Sequence, residues 1–151
     1  MAYQHRQIGT LVLTTMGIAG VVILLVFVFA KELPLPLAIV PAAFIALAML
    51  NFGTLTVRLD RQYVHVEFGI GWIRRAIPLE RIAAAEVTKT RWYYGWGLRL
   101  TPKGWLWNTS GFDAVMLTYN DGKHFLIGSD DADGLAAAIE KELDRLAVTS
   151  A

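Results

Sequence analysis

Cysteine is absent from the sequence, and histidine occurs only three times in 151 residues. Without Cys the chain has no disulfide, no thiolate metal site and no Cys nucleophile. His5, His65 and His124 are not spaced like the ligands of a known metal motif such as HExxH. Their order along the chain leaves a Ser-His-Asp assembly open, but neither Ser110 nor Ser129 lies in a nucleophile-elbow motif. The sequence therefore predicts a protein that is not an enzyme, with no catalytic residue, metal site or cofactor.

Motifs for phosphate and calcium are also missing. Two Gly-x-Gly runs, at residues 69–71 and 95–97, lie in β-type sequence and do not open a helix, as a phosphate loop does. Asp130, Asp131 and Asp133 lack the other ligands of a calcium loop and are better suited to the start of a helix. The formal net charge is only +1, which gives no support for nucleic acid as a partner.

One apolar stretch dominates the chain, from Ile8 to Phe52, and only Lys31 and Glu32 interrupt it with charge. Its first part, residues 8–30, would span about 34 Å as a helix, enough for a bilayer core of about 30 Å. A core helix of a soluble protein normally shows a polar face, and a cleaved signal peptide has a shorter apolar region. We therefore predict a transmembrane helix over residues 8–30.

The second part of this stretch predicts another transmembrane helix, over residues 34–52. It begins near Pro34 and Pro36, because proline fits the first turn of a helix. The pair forms a tight antiparallel hairpin within residues 1–52. A stripe of small residues, at positions 38, 42 and 46, would let either the first helix or a neighbouring copy approach closely. More basic residues flank the two outer ends than the turn, so both termini are predicted to be cytoplasmic.

Residues 53–151 predict a small β domain followed by a helix. Residues 54–60 and 63–68 alternate between apolar and polar side chains, and Asp121-Gly122 is typical of a two-residue hairpin turn. The final helix has one apolar face, which must pack on the sheet. Seven antiparallel strands are predicted, at residues 54–60, 63–68, 72–78, 84–91, 97–101, 114–119 and 124–128.

Charge is unevenly distributed along this domain. Residues 58–103 contain nine Lys and Arg against four Asp and Glu, whereas residues 104–151 contain three against eight. A basic face toward anionic headgroups, head-to-tail contacts between copies and ordinary solvated charge each account for this pattern.

Residues 91–107 contain four of the five Trp residues, together with two Tyr and several basic residues. Aromatic rings of this kind either fill a core or lie at the headgroup level of a membrane, where neighbouring cations contact phosphates. Both interpretations stay open. The candidate lipid- or partner-binding residues are Trp72, Arg74, Arg75, Trp92, Tyr93, Arg99 and Lys103.

Four short runs together form a pattern of glycines, aromatics and strand spacing: residues 94–99 (YGWGLR), 104–111 (GWLWNTSG), 114–115 (AV) and 125–130 (FLIGSD). In these runs the chain resembles small bacterial membrane proteins that carry a pleckstrin-homology-like (PH-like) domain. The resemblance covers about residues 55–146. It implies a membrane α + β fold, in which a bent antiparallel β-barrel capped by a C-terminal helix follows the hairpin.

The resemblance also implies a two-pass protein of the bacterial cytoplasmic (inner) membrane, in a family of uncharacterised function. It supplies no catalytic residues, and ring-forming relatives imply a homo-oligomer by analogy only. Relatives that bind phosphoinositides carry a dense basic loop between their first strands. Here that turn is only Asp60-Arg61-Gln62, which disfavours phosphoinositide recognition.

Together these features predict a non-enzymatic, membrane-anchored module that self-assembles or acts as an adaptor or scaffold for an unidentified protein partner. The alternative is a sensor or binder of anionic lipid headgroups, or of a small ligand, through the seven candidate residues. Ion-coupled transport is disfavoured because neither predicted span contains an ionisable residue.

Overall fold

The computed structural model describes residues 3–30 and 32–150, and its architecture is α+β. Two apolar helices follow the first strand, and the remaining strands of two β-sheets and a C-terminal helix come after them. The helices are α1 (Thr10–Phe29), α2 (Pro36–Phe52) and α3 (Ala132–Ser150). The strands are β1 (Tyr3–Ile8), β2 (Thr54–Leu59), β3 (Tyr63–Phe68), β4 (Ile73–Pro78), β5 (Ile82–Lys89), β6 (Gly97–Thr101), β7 (Gly104–Asn108), β8 (Asp113–Tyr119) and β9 (His124–Gly128).

The strands form two separate sheets, with the orders β1-β2-β3-β4 and β5-β8-β9-β7-β6. Among the described residues no strand of one sheet pairs with a strand of the other, so the predicted closed barrel does not form. Pro78 ends β4, and a single 3-10 turn, Leu79–Arg81, leads into the second sheet. The predicted antiparallel arrangement is also wrong for one pair, because β7 and β9 run parallel.

Two strands were not predicted. β1 pairs with β2 along its whole length, from Tyr3 opposite Leu59 to Ile8 opposite Thr54. Residues 3–8, assigned above to the hairpin segment, therefore belong to the first sheet. The other is β7, which lies inside the aromatic stretch and joins β6 to β9.

The core lies between the two sheets and α3. The inward residues of β2 and β3 alternate with polar ones, as the period of two predicts, and Leu135 and Ile139 of α3 are fully buried against them. The carboxylate of Glu140 accepts the N–H of Ala85 at 2.6 Å, beside an irregularity in the β5–β8 pairing. The predicted C-terminal helix that packs on the sheets is therefore confirmed.

The helices α1 and α2 project from the first sheet as a pair. The N–H of Gly9 donates to the carbonyl of Gly53 at 2.8 Å, so the chain leaves the sheet and returns to it at adjacent points. Of the helices in the described ranges, only α1 is long and apolar enough to cross a bilayer, judged by length and composition. α2 is apolar but has 17 residues, because it begins at Pro36 rather than at the predicted residue 34.

Each of these two helices is half-buried along one face and exposed elsewhere. The small residues at positions 42 and 46 of α2 are exposed, whereas Ala38 is half-buried. Most of the predicted small-residue stripe therefore points away from α1. The half-buried residues in the middle of the pair are Gly17, Gly20, Ile23 and Phe27 of α1 and Ala38, Pro41, Ile45 and Ala48 of α2.

Candidate functional site

Three loops of the β domain lie at the same end as the bases of α1 and α2, which we call the hairpin end. The first loop is the β3–β4 turn, which begins at Gly69. A Cβ on Gly69 would lie 2.0 Å from the carbonyl oxygen of Leu50 and 2.5 Å from that of Asn51. Because only glycine has no Cβ, this turn can approach the last turn of α2 so closely. Trp72 therefore lies beside the helix pair.

The second loop joins β7 to β8 and contacts the strand that leads into α1. The side-chain N–H₂ group of Gln7 donates to both the carbonyl and the hydroxyl oxygen of Ser110, each at 2.9 Å. A Cβ on Gly9 would lie 3.0 Å from the Cβ of Thr109. These contacts bring Phe112 to the hairpin end.

The third loop follows β5 and contains the 3-10 turn Trp92–Tyr94. The main-chain N–H of Thr90 donates to the carbonyl of Phe112 at 2.6 Å, which joins this loop to the second. The guanidinium of Arg91 donates to the phenolic oxygen of Tyr93 at 2.6 Å and lies over its ring. This hydrogen bond raises the pKa of Arg91, so the group stays charged.

Apolar side chains from the three loops are exposed at the hairpin end, and we call them the aromatic rim. Trp72 is 68% exposed and Trp92 75%, although burial in a core is the usual state of such large side chains. The rim consists of Ile70, Trp72, Trp92, Tyr93 and Phe112.

The aromatic stretch divides between the core and the surface. Trp107 is 7% exposed, with its ring 5.4 Å from that of Phe68 and 5.6 Å from that of Phe125. Trp92 and Tyr93, by contrast, belong to the rim. Neither of the two interpretations offered by the sequence describes the whole stretch.

The seven candidate residues do not form one site. Trp72, Trp92 and Tyr93 lie in the rim. The four basic candidates lie elsewhere. Arg74 is on the outer face of β4 opposite Glu67, and the guanidinium of Arg75 lies 4.7 Å from the centre of the Phe125 ring. Arg99 is on β6, where its Nε donates to the carbonyl of Trp96, and Lys103 is in the β6–β7 turn.

Ile70 and Phe112 of the rim were not among the candidates. Each follows a glycine in a turn, and an apolar residue at such a position is the signal that would have identified them. Arg91 directly precedes Trp92 of the rim and Lys89 lies three residues before it, and neither was selected.

The outer face of the first sheet forms a groove of about 790 Å³ whose charges are mostly paired. Arg58 pairs with Glu67 at 3.4 Å, and His65 pairs with Asp60 at 2.9 Å. Burial raises the pKa of Asp60, but the hydrogen bonds from the main-chain N–H groups of Gln62 and Tyr63 and from His65 together outweigh it, so the pKa is lowered. This groove therefore offers no unpaired carboxylate for acid–base chemistry.

Within residues 3–30 and 32–150, no group of three or more His, Asp or Glu side chains is placed to hold a metal ion. In comparisons with known proteins, no family model, no curated protein and no solved structure matches this chain.

Proposed function

We propose that this chain is a non-enzymatic module of the bacterial cytoplasmic membrane, anchored by α1 and α2, whose PH-like domain self-assembles or serves as an adaptor or scaffold. The observation that carries this proposal is the coincidence of two exposed apolar surfaces at one end of the domain. The helix pair projects from the hairpin end, and the exposed side chains of the aromatic rim lie at the same end.

The exposed surface of the helix pair supports insertion into a bilayer. The 20 residues of α1 span about 30 Å, which matches the hydrocarbon core. Neither helix buries an apolar residue within the chain, and an apolar surface of this size is otherwise typical of an interface. Trp and Tyr side chains of the rim then lie at the headgroup level, where such rings are enriched.

The PH-like assignment rests on the resemblance stated above and on the arrangement of two sheets with a C-terminal helix packed across them. Strand β1 and the parallel β7–β9 pair are departures from the expected antiparallel barrel. Self-assembly through the membrane is supported by the exposed Ala42 and Ala46, since small residues allow close helix contacts in lipid.

The absence of Cys makes a direct test of topology simple, because any introduced Cys is the only thiol. We would place single cysteines at Glu32, in the turn between α1 and α2, and at Thr149, at the end of α3. In intact cells a membrane-impermeant maleimide should label E32C but not T149C. Labelling of E32C only after lysis would contradict the proposed arrangement, in which the turn is outside and both termini are cytoplasmic.

Self-assembly is tested separately by mass photometry of the full-length protein in nanodiscs. The variant A42L/A46L should dissociate oligomers that use this face of α2, whereas V40L, on an exposed position of the same helix, should not. A wild-type protein that is only monomeric would contradict self-assembly and leave the adaptor role.

The second candidate function is recognition of anionic lipid headgroups by the hairpin end. It is favoured by the exposed Lys89, next to the rim, and by Arg91, held over the ring of Tyr93. Quenching of Trp fluorescence by brominated lipids should be stronger in anionic than in zwitterionic nanodiscs, and the difference should fall with salt. Equal quenching in both would contradict this function.

A further inference from the structure

We propose that the β domain carries a second site, at the end opposite the hairpin end, that binds the phosphate group of a soluble small molecule. It is a cavity of about 350 Å³ between the end of β4, the 3-10 turn Leu79–Arg81 and the β8–β9 turn. This volume lies in the range of small-ligand sites. The proposed membrane anchoring is used in one step only, the choice of a soluble ligand over a lipid headgroup.

Three cationic side chains line this cavity, those of Arg75, Arg81 and Lys123, against the single carboxylate of Asp121. Convergent cations favour a phosphate group, because its oxygens accept several charge-assisted hydrogen bonds at once. The other lining residues are Ala76, Ile77, Pro78, Tyr119 and Asn120, which offer an apolar wall and two polar groups.

The positive charge of the cavity is not neutralised by the protein. Asp121 is occupied by Lys123, whose ammonium lies 3.3 Å away and whose main-chain N–H donates to it at 3.1 Å. That main-chain hydrogen bond lowers the pKa of Asp121, so it is fully ionised. Within the described part of the chain, no carboxylate lies within 4.0 Å of the guanidinium of Arg75 or Arg81. Two positive charges are therefore left for an anion.

Tyr119 provides a hydrogen-bond donor that the protein does not use. Its phenolic oxygen is buried and has no partner among the described residues. Burial raises the pKa of this phenol, although Arg75 and Arg81 partly oppose the shift, so it stays protonated near neutral pH. Leaving a buried donor unpaired destabilises the protein, a penalty that an acceptor bound in the cavity would relieve.

The walls of the cavity are held in place by hydrogen bonds between its two turns. The main-chain N–H of Asn120 donates to the carbonyl of Arg81 at 3.0 Å, and its side chain donates to the carbonyl of Glu80 at 2.7 Å. Gly122 allows the tight turn through its φ of +80°. A site whose groups are already in position loses less conformational entropy when a ligand binds.

The location of the cavity favours a soluble ligand over a headgroup of the anchoring membrane. Pro78 pairs with Tyr63 at the start of β3, and Ile82 pairs with Tyr119. Both pairs lie at the ends of strands that are farthest from the Gly9–Gly53 contact. Six residues of strand place the cavity about 20 Å from the hairpin end, beyond the reach of lipid phosphates.

The test is isothermal titration of inorganic pyrophosphate into the full-length protein in phosphatidylcholine nanodiscs, at constant ionic strength. R75Q and R81Q should each weaken binding about tenfold, because each removes one charge-assisted contact. Lys141 is exposed on α3 and does not line the cavity, so K141Q is the matched control and should leave binding unchanged. Y119F should weaken binding without changing the thermal unfolding midpoint by more than a few degrees.

Two outcomes would overturn this proposal. Equal weakening by all three cation variants would show diffuse attraction rather than a site, and no heat of binding up to about 10 mM pyrophosphate would show that there is no site. Repeating the titration in nanodiscs with phosphatidylglycerol separates the sources of phosphate. Unchanged affinity supports a soluble ligand, whereas competition by the lipid would assign the cavity to headgroups. Labelling of E32C in an R81Q background reports membrane insertion independently, so a failure of this site is distinguishable from a failure of the proposed function.

Discussion

The contact between the β3–β4 turn and the last turn of α2 can be tested with two alanine substitutions in the same turn. Gly69 and Gly71 both have positive φ angles, +50° and +85°. An alanine in this region costs about 1–2 kcal/mol relative to glycine, because its Cβ crowds the neighbouring main chain. This part of the penalty is shared by G69A and G71A.

Only Gly69 faces a second penalty. Its added Cβ would lie 2.0 Å from the carbonyl oxygen of Leu50, whereas a Cβ on Gly71 has no heavy atom within 4 Å. Relief of that overlap requires a shift of about 1 Å between the turn and α2. Such a shift would weaken the 2.8 Å hydrogen bond from Gly69 to Thr54 and the packing around it. We therefore expect G69A to lose about 3–5 kcal/mol and G71A about 1–2 kcal/mol.

The measurement is urea unfolding of each full-length variant in the same nanodiscs, followed by Trp fluorescence. A fall in the unfolding midpoint for G69A that is at least twice that for G71A is the expected result. Equal losses for the two variants would refute the reasoning, because the turn would then not touch α2 as described. The comparison is robust since the two sites share their turn, their residue type and their replacement.

Three further predictions concern contacts inside the domain. Burial and the 2.7 Å hydrogen bond to Asp131 raise the pKa of Tyr3. The protonated Tyr3 side chain therefore contributes fully to stability below pH 10.0, the usual pKa of tyrosine, and this contribution is lost as the pH rises above that value. Y3F should flatten the fall of the urea unfolding midpoint above pH 10.0. E140A should lower the free energy of unfolding, measured by thermal unfolding, by about 1–3 kcal/mol, because it leaves a main-chain N–H of β5 unpaired. E140Q keeps an acceptor and should lower it less, and equal losses for the two variants would contradict this role of Glu140. W107A should cost about 3–5 kcal/mol in urea unfolding and W105A, at a 48% exposed position, clearly less.

Local signals in the sequence were sufficient for much of the fold. The β2–β3 and β8–β9 hairpins follow from alternating patterns that flank short turns, and α3 follows from its cap and its apolar face. Both apolar helices begin and end within two residues of their predicted bounds. Each of these elements is determined by neighbours in the sequence.

The missed strands have no such local signal. In β1 polar residues occupy both faces, with Gln4 and Arg6 on one and His5 and Gln7 on the other, so no apolar alternation marks it. It forms a strand because β2 offers a free edge. In β7 the consecutive residues 106 and 107 are both buried, which breaks the period of two, and its parallel partner β9 is distant in sequence.

The same limit applies to the candidate site. Whether a Trp is in the core or in the rim depends on non-local register, because Trp107 meets Phe68 and Phe125 across the two sheets. The cavity at the other end combines two segments that are distant in the chain, residues 75–81 and 119–123, so no motif could have indicated it.

Ile8 pairs directly with Thr54, so the 45 residues between them occupy the position of the turn in a β-hairpin. The domain is therefore joined directly to the helix pair, with no flexible linker, since the Gly9–Gly53 hydrogen bond closes the junction. Any rotation or tilt of α1 and α2 acts as a torque on the first sheet and turns the whole domain. In the membrane arrangement that we propose, contacts made by the two helices would thus set the direction in which the opposite end of the domain faces.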